Sequence, residues 1–300
     1  MPDNRPFSAA AIQQSCGADR DANLAHSARL IESAAERGAD LVVLQELHTG
    51  PYFCQEEATD VFDRAESIPG PTTRFLGELA AEFGVVIVGS VFEKRMAGVH
   101  HNTAVVLDSD GSLVGRYRKM HIPDDPGFYE KFYFTPGDAS PEAFRPIETR
   151  LGRLGVMVCW DQWYPEAARL MALAGAEVLI YPTAIGWAPE DDGDEQVRQL
   201  DAWVTVQRGH AIANNLPVIA PNRHGFEEAP DGSGNGIQFW GNSFICGGQG
   251  EFLARSEAEG DDILLAIIDP DQTDSLRRIW PYLRDRRVDA YEQLTRRVRD

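Results

Sequence analysis

The chain has 300 residues, enough for one large or two ordinary domains, and its 43% hydrophobic, 25% charged and 9% aromatic content is that of a folded globular protein. With 28 lysines and arginines against 47 aspartates and glutamates, the formal charge of −19 argues against nucleic acid or an anionic membrane as a partner. No stretch approaches the ~18 unbroken apolar residues of a membrane span, and the polar start MPDNRPFS does not read as a signal peptide, so the expectation is a cytoplasmic protein.

Leu24, Ala28, Ile31 and Ala35 recur at helical spacing, and Gly38 ends the run, which predicts a helix with one buried face. DLVVLQE (40–46) is apolar on both faces, as in a strand covered on both sides. A second helix carries Phe75, Leu76, Leu79 and Phe83 and stops at Gly84, and VVIVGSVFE (85–93) is the next strand. NTAVVLD and SLVGRYRK flank an Asp110-Gly111 turn, an antiparallel hairpin that makes the sheet mixed. After a proline-rich aromatic loop (122–141), GRLGVMVCW (152–160) reads as a buried strand, and Pro165 opens a helix ending near Gly175. EVLIYPT (177–183), a helix over about 195–215 and VIAPN (218–222) repeat the alternation. Two short strands around 242–255, ILLAIID (263–269) and a charged tail complete it. This rhythm predicts α/β layers in a single domain spanning 1–300, without repeats or a linker.

Four cysteines, Cys16, Cys54, Cys159 and Cys246, show neither CxxC nor metal-like pairing with histidine, so free thiols and no metal are expected. His100, His101 and His210 also lack metal spacing. Cys159 ends an apolar strand and precedes a proline-started helix, at the sheet edge where open α/β folds bind ligands; packing is the default role of such a cysteine. Glu46 follows Val42 and Leu44 on period-two alternation, either as a solvated strand end or as a carboxylate held beside the core, where it would suit a general base. Lys119, one of only three lysines, shares the likely inward face of its strand with Leu113 and Tyr117, against the alternative of a snorkelling side chain. Glu130 stands alone among aromatics in GFYEKFYF and could pair with that lysine, or else with Lys131 or an arginine at the surface. A thiol, a carboxylate and an ammonium at three sheet ends make a set for acyl transfer: nucleophile, base and oxyanion stabiliser. There is no GxSxG, no HExxH and no Walker loop; the runs GSGNG (232–236) and CGGQG (246–250) read as turns.

The segments LVVLQEL, YRKMHIP and GVMVCWDQWYPEAAR resemble the glutamate, lysine and cysteine motifs of the nitrilase, or carbon-nitrogen hydrolase, superfamily, in the family's order. The resemblance covers essentially the whole chain. It implies a four-layer α-β-β-α sandwich with mixed sheets, assembled into a homo-oligomer, a dimer or larger, with the tail from about 270 in oligomer contacts. It implies Cys159 as nucleophile, Glu46 as general base, Lys119 as oxyanion stabiliser and Glu130 as a second, orienting glutamate, with no cofactor. RKMHIPDDPGFYEKFYFTPGD and NRHGFE are similar to the branch that hydrolyses N-carbamoylputrescine, although Asp125 stands where such relatives commonly carry glycine. The implied substrate is a small ureido compound with a cationic tail. Tyr52, Trp160, Asp161, Thr183 and Trp187 are the candidate binding residues, with the acidic run Glu190, Asp191, Asp192, Asp194 and Glu195 near the rim. The alternatives are a carbamoyl-amino-acid or β-ureidopropionate hydrolase, which needs an arginine such as Arg208 or Arg223 facing the pocket, and a catalytically silent scaffold.

Overall fold

The apolar runs pair into two six-stranded mixed sheets of similar plan. In the first, the order is Asp262–Ile268, Phe7–Gln13, Leu41–Val43, Val86–Met96, Val99–Leu107 and Leu113–Arg118. The second runs Phe252–Arg255, Phe244–Cys246, Val218–Ala220, Val178–Ile180, Gly152–Val156 and Ile147–Thr149. Each has three parallel strands at its heart and antiparallel partners at its margins. A small antiparallel sheet of Gly186–Trp187, Gly236–Trp240 and His224–Glu228 lies beside them. The structure is a computed structural model and describes residues 5–140, 142–188 and 190–299; the start of MPDNRPFS lies outside the described residues.

Period-two alternation sorts the side chains of the first sheet into two cores. Ala9, Ala11, Val43, Val88, Ala104 and Val106 meet Val156, Val178, Ile180 and Val218 of the second sheet. Ala10, Ile12, Val42, Ile87 and Val105 face outward onto Ile31 and Ala34 of the helix Arg20–Glu36 and Leu76 and Ala80 of the helix Pro71–Phe83. The second sheet carries the helices Pro165–Leu173 and Gly193–Asn214, whose Ala168, Met171, Trp203 and Ala211 join its core. The layers are therefore α-β-β-α, as the motif resemblance implies. Emptying one such site, as in Ile180→Ala, costs about 2–5 kcal/mol because the sandwich collapses only partly around the void.

Helix ends follow their local chemistry. The Asp19 carboxylate accepts from Ala22 N, Pro71 opens the second helix, and Gly84 closes it with φ +66°. The strands Phe7–Gln13 and Ile147–Thr149, and the small third sheet, were not among the predicted elements. Neither was the helix Pro270–Ile279, which lies inside the charged tail and is capped by Asp269. Beyond it, Tyr291 and Leu294 fold back toward Arg169 and Leu170 of the helical layer, while Ile279, Val288 and Val298 stand exposed.

Candidate active site

Three loops at one end of the sandwich bring the predicted carboxylates and lysine together. After Leu41–Val43 the chain still pairs through Leu44 N to Val88 O (2.9 Å), then turns, with Leu47 N donating to Ser90 Oγ (3.0 Å). The turn breaks the alternation: Val42 and Leu44 pack on the helices, whereas Glu46 swings into the interior. The shared face expected for the three residues is thus corrected, because the strand has ended before Glu46. Its Oε1 accepts from Asn102 Nδ2 (2.6 Å) and Lys119 Nζ (2.9 Å), and its Oε2 from Ala184 N (2.9 Å).

Lys119 extends the hairpin past Arg118, with its N–H donating to Asn102 O (2.9 Å), so the alternation that buries Tyr117 carries the lysine inward. The ammonium also donates to Glu130 Oε1 (2.9 Å) and Oε2 (2.7 Å), and Tyr52 OH donates to Glu130 Oε1 (2.7 Å). Lys131 instead lies exposed, 3.7 Å from Asp124. Burial disfavours the Lys119 ammonium, yet Glu130 and Glu46 outweigh it and hold the group well above the usual lysine range. Burial pushes Glu130 up to about 7, against the pull of Lys119 and with the repulsion of Glu46.

The strand expected over 152–160 ends at Val156, and Cys159, three residues further on, begins a 3-10 turn, Cys159–Trp163, with φ +42°, a left-handed conformation that a non-glycine residue adopts at a cost of about 1–3 kcal/mol. Its N–H donates to Pro182 O (2.9 Å), which fixes the turn against the neighbouring strand end. Burial lifts the thiol well above the ordinary cysteine range; Glu46 adds to the rise, Lys119 opposes it, and the Ala184 N–H lowers it. Cys159 therefore rests as a thiol within the field of the Glu46 carboxylate.

Beside this centre opens a cavity of about 570 Å³, within the range that holds small metabolites. Its aromatic walls are Phe128, Trp160, Trp163 and Trp240, and its charged groups among the described residues are the carboxylates of Asp125, Glu190, Asp191 and Glu195 with one guanidinium, Arg198. Gly186 completes the wall where a Cβ would come within 2.6 Å of Gln238 O, so only glycine permits this approach. The cavity borders the centre through sequence neighbours, since Trp160 follows Cys159 and Ile185 follows Ala184.

The family model for carbon-nitrogen hydrolase matches residues 8–278. The chain belongs to the carbon-nitrogen hydrolase family. The hydrolase is 45% identical to an N-carbamoylputrescine amidase of Solanum lycopersicum over 293 residues, covering 97% of this chain and 95% of that one. It is 40% identical to a citrullinase of Francisella tularensis over 290 residues, covering 96% and 98%. A crystal structure of a carbon-nitrogen hydrolase from Helicobacter pylori G27 superposes with a TM-score of 0.94 at 52% identity, covering 98% of this chain and 100% of that chain.

Of the five candidate binding residues of the hydrolase, Trp160 alone lines the cavity. Tyr52 is buried against Glu130. Thr183 donates to Tyr181 O (2.8 Å), and Trp187 Nε1 donates to Gln196 O (3.1 Å) at the start of the long helix. Asp161 is sealed: Oδ1 accepts from His121 N (3.0 Å) and lies 2.6 Å from His121 Nδ1, and Oδ2 accepts from Val158 N (3.1 Å). It ties the lysine loop to the cysteine turn and has no oxygen to offer a ligand. Within the acidic run, Asp192 caps the helix through Glu195 N (2.8 Å). Neither candidate arginine reaches the cavity. Arg208 Nε donates to Gly250 O (2.6 Å), and Arg223 donates to Gly50 O (3.0 Å), Glu46 O (3.2 Å) and Leu47 O (2.9 Å) while pairing with Glu227. Glu227 in turn accepts from Tyr52 N (2.6 Å), so the pair braces the glutamate loop of the hydrolase from below. This brace and Asn102 escaped the sequence reading; the one visible signal was a polar residue heading the apolar strand NTAVVLD.

Proposed function

We propose that the hydrolase cleaves N-carbamoylputrescine to putrescine, carbon dioxide and ammonia. The observation that carries this reading is the cavity's charge: four carboxylates against one guanidinium, with indole faces between them, beside a thiol, a carboxylate and an ammonium. A cationic tail is favoured there and an anionic one repelled.

Cys159 Sγ attacks the ureido carbon while Glu46 takes the thiol proton. The oxygen of the tetrahedral adduct is held by the Lys119 ammonium and the N–H of Trp160. Glu46 returns the proton to the terminal nitrogen, which leaves as ammonia, and the carbamoyl group stays on sulfur. Glu46 then deprotonates a water that attacks the thiocarbamate carbon. Sulfur leaves as the thiol, and the freed carbamic acid falls apart to carbon dioxide and the amine. Glu130 and Tyr52 keep the ammonium aimed. The exposed Ile279, Val288 and Val298 of the C-terminal segment support assembly with further copies of the chain.

Ammonia release from N-carbamoylputrescine and from N-carbamoyl-β-alanine tests the reading, because the two share a ureido group and differ in tail charge. Turnover of the diamine with little of the amino acid is expected. Preference for N-carbamoyl-β-alanine would overturn the cationic tail, and silence on both would move the enzyme to another amide or to a scaffold role.

A further inference from the structure

Two ureido compounds of nearly the same length could enter the cavity. Citrulline places its α-ammonium about where N-carbamoylputrescine places its terminal ammonium, and adds one carboxylate on the same carbon. The volume admits either, so size does not choose between them. What distinguishes them is whether the wall offers a cation to that added carboxylate.

The helix Gly193–Asn214 presents Glu195, Arg198, Gln199 and Ala202 to the cavity, at the i, i+3, i+4, i+7 spacing of one helical face. Arg198 is the cation of this wall, and it is already engaged: Nε and one terminal nitrogen donate to Glu195 Oε2 at 3.0 and 2.7 Å. Gln199 Nε2 adds a long bond of 3.4 Å to Glu195 Oε1. The carboxylate of citrulline would therefore meet a guanidinium whose charge Glu195 already offsets, in a field that Asp125, Glu190 and Asp191 keep negative.

We infer that the Glu195–Arg198 pair is the specificity element that separates a ureido diamine from a ureido amino acid, by offsetting the charge of the one guanidinium among the described residues of the cavity wall. The inference rests on the reading of the hydrolase as a ureido-cleaving enzyme. Both residues act on the tail and leave the reacting carbon alone, so the effect falls on KM and spares kcat. The pair is partly exposed, with side chains 65% and 42% accessible, so it biases the choice by a modest factor.

The test measures kcat and KM for N-carbamoylputrescine and citrulline in the wild-type protein, Glu195→Gln, Arg198→Gln and the double variant. Glu195→Gln frees the guanidinium and is expected to raise the citrulline-to-diamine ratio of kcat/KM about fivefold, through KM. Arg198→Gln frees the carboxylate instead and should move the ratio the other way, and the double variant should lose the gain. A ratio unchanged in Glu195→Gln, or a gain that persists in the double variant, would overturn the role of the pair. Wild-type protein inactive on both compounds would instead overturn the ureido reading beneath it and take the inference with it. The exposed position of both side chains leaves the core intact, and equal melting temperatures of the four proteins check this.

Discussion

At the sheet ends Lys119 and its two glutamates are sealed from water and hold one another through bonds of 2.7–2.9 Å, whereas beside them Asp125, Glu190 and Arg198 stand partly in solvent around an open cavity. In the first region each charge has a fixed partner, and the low dielectric makes each partner expensive to remove. In the second, charges are screened, held by helix-surface contacts, and individually weak. The contrast teaches that this fold fixes the reaction and leaves the substrate's tail open to adjustment. Changes in the centre should abolish function or stability, and changes in the cavity should only tune affinity.

Variants sharpen that division. The largest effect is expected for Cys159→Ser, at least about a 10⁴-fold fall in kcat with the melting temperature retained; substantial turnover would place the nucleophile elsewhere. Next comes Lys119→Met, which strands two buried carboxylates and should cost about 3–5 kcal/mol in urea unfolding, partly restored by adding Glu130→Gln. Additive losses in the double variant would show that the three groups do not act as a unit.

Proton linkage gives a smaller signature. Because Glu130 titrates at about 7 when folded, against an ordinary 4.5, the folded state holds a proton over that interval that the unfolded chain has released. Its contribution to stability is present below about 4.5 and is lost as pH rises to about 7. Unfolding free energies measured from pH 5 to 8 should show this decline in wild type and a flatter profile in Glu130→Gln. The smallest effect belongs to the cavity: Glu190→Gln should raise KM for the cationic substrate about two- to fivefold, more at low salt than at high, with kcat unchanged. A kcat loss there would erase the distinction between the two regions.

The same division governs what could be read from sequence. Glu46, Lys119 and Cys159 stand out because each is a reactive type placed where a strand-like run ends, Glu130 because it stands alone among aromatics, and the three strand-end placements reinforce one another. The layers were legible because runs such as VVIVGSVFE bury both faces. Side-chain destinations beyond a strand's end were not. Glu46 turns away from the face its alternation implies, and Asp161 spends its oxygens on His121 and Val158 rather than on a ligand. Arg223 was weighed as a carboxylate binder from its type alone, yet it braces backbone carbonyls some 170 residues away, an arrangement no local pattern encodes. The short strands near 186, 224 and 236 lack apolar length and exist through tertiary pairing.

That distant brace also sets a schedule for synthesis. The glutamate loop is complete as a sequence by about residue 50, yet the guanidinium that pins its carbonyls belongs to residue 223, and the carboxylate that holds Tyr52 N to residue 227. A chain still emerging from the ribosome can thus carry both Glu46 and Cys159 before the two residues that hold the glutamate loop exist. The centre's geometry is thus completed late, after most of the second sheet has been made.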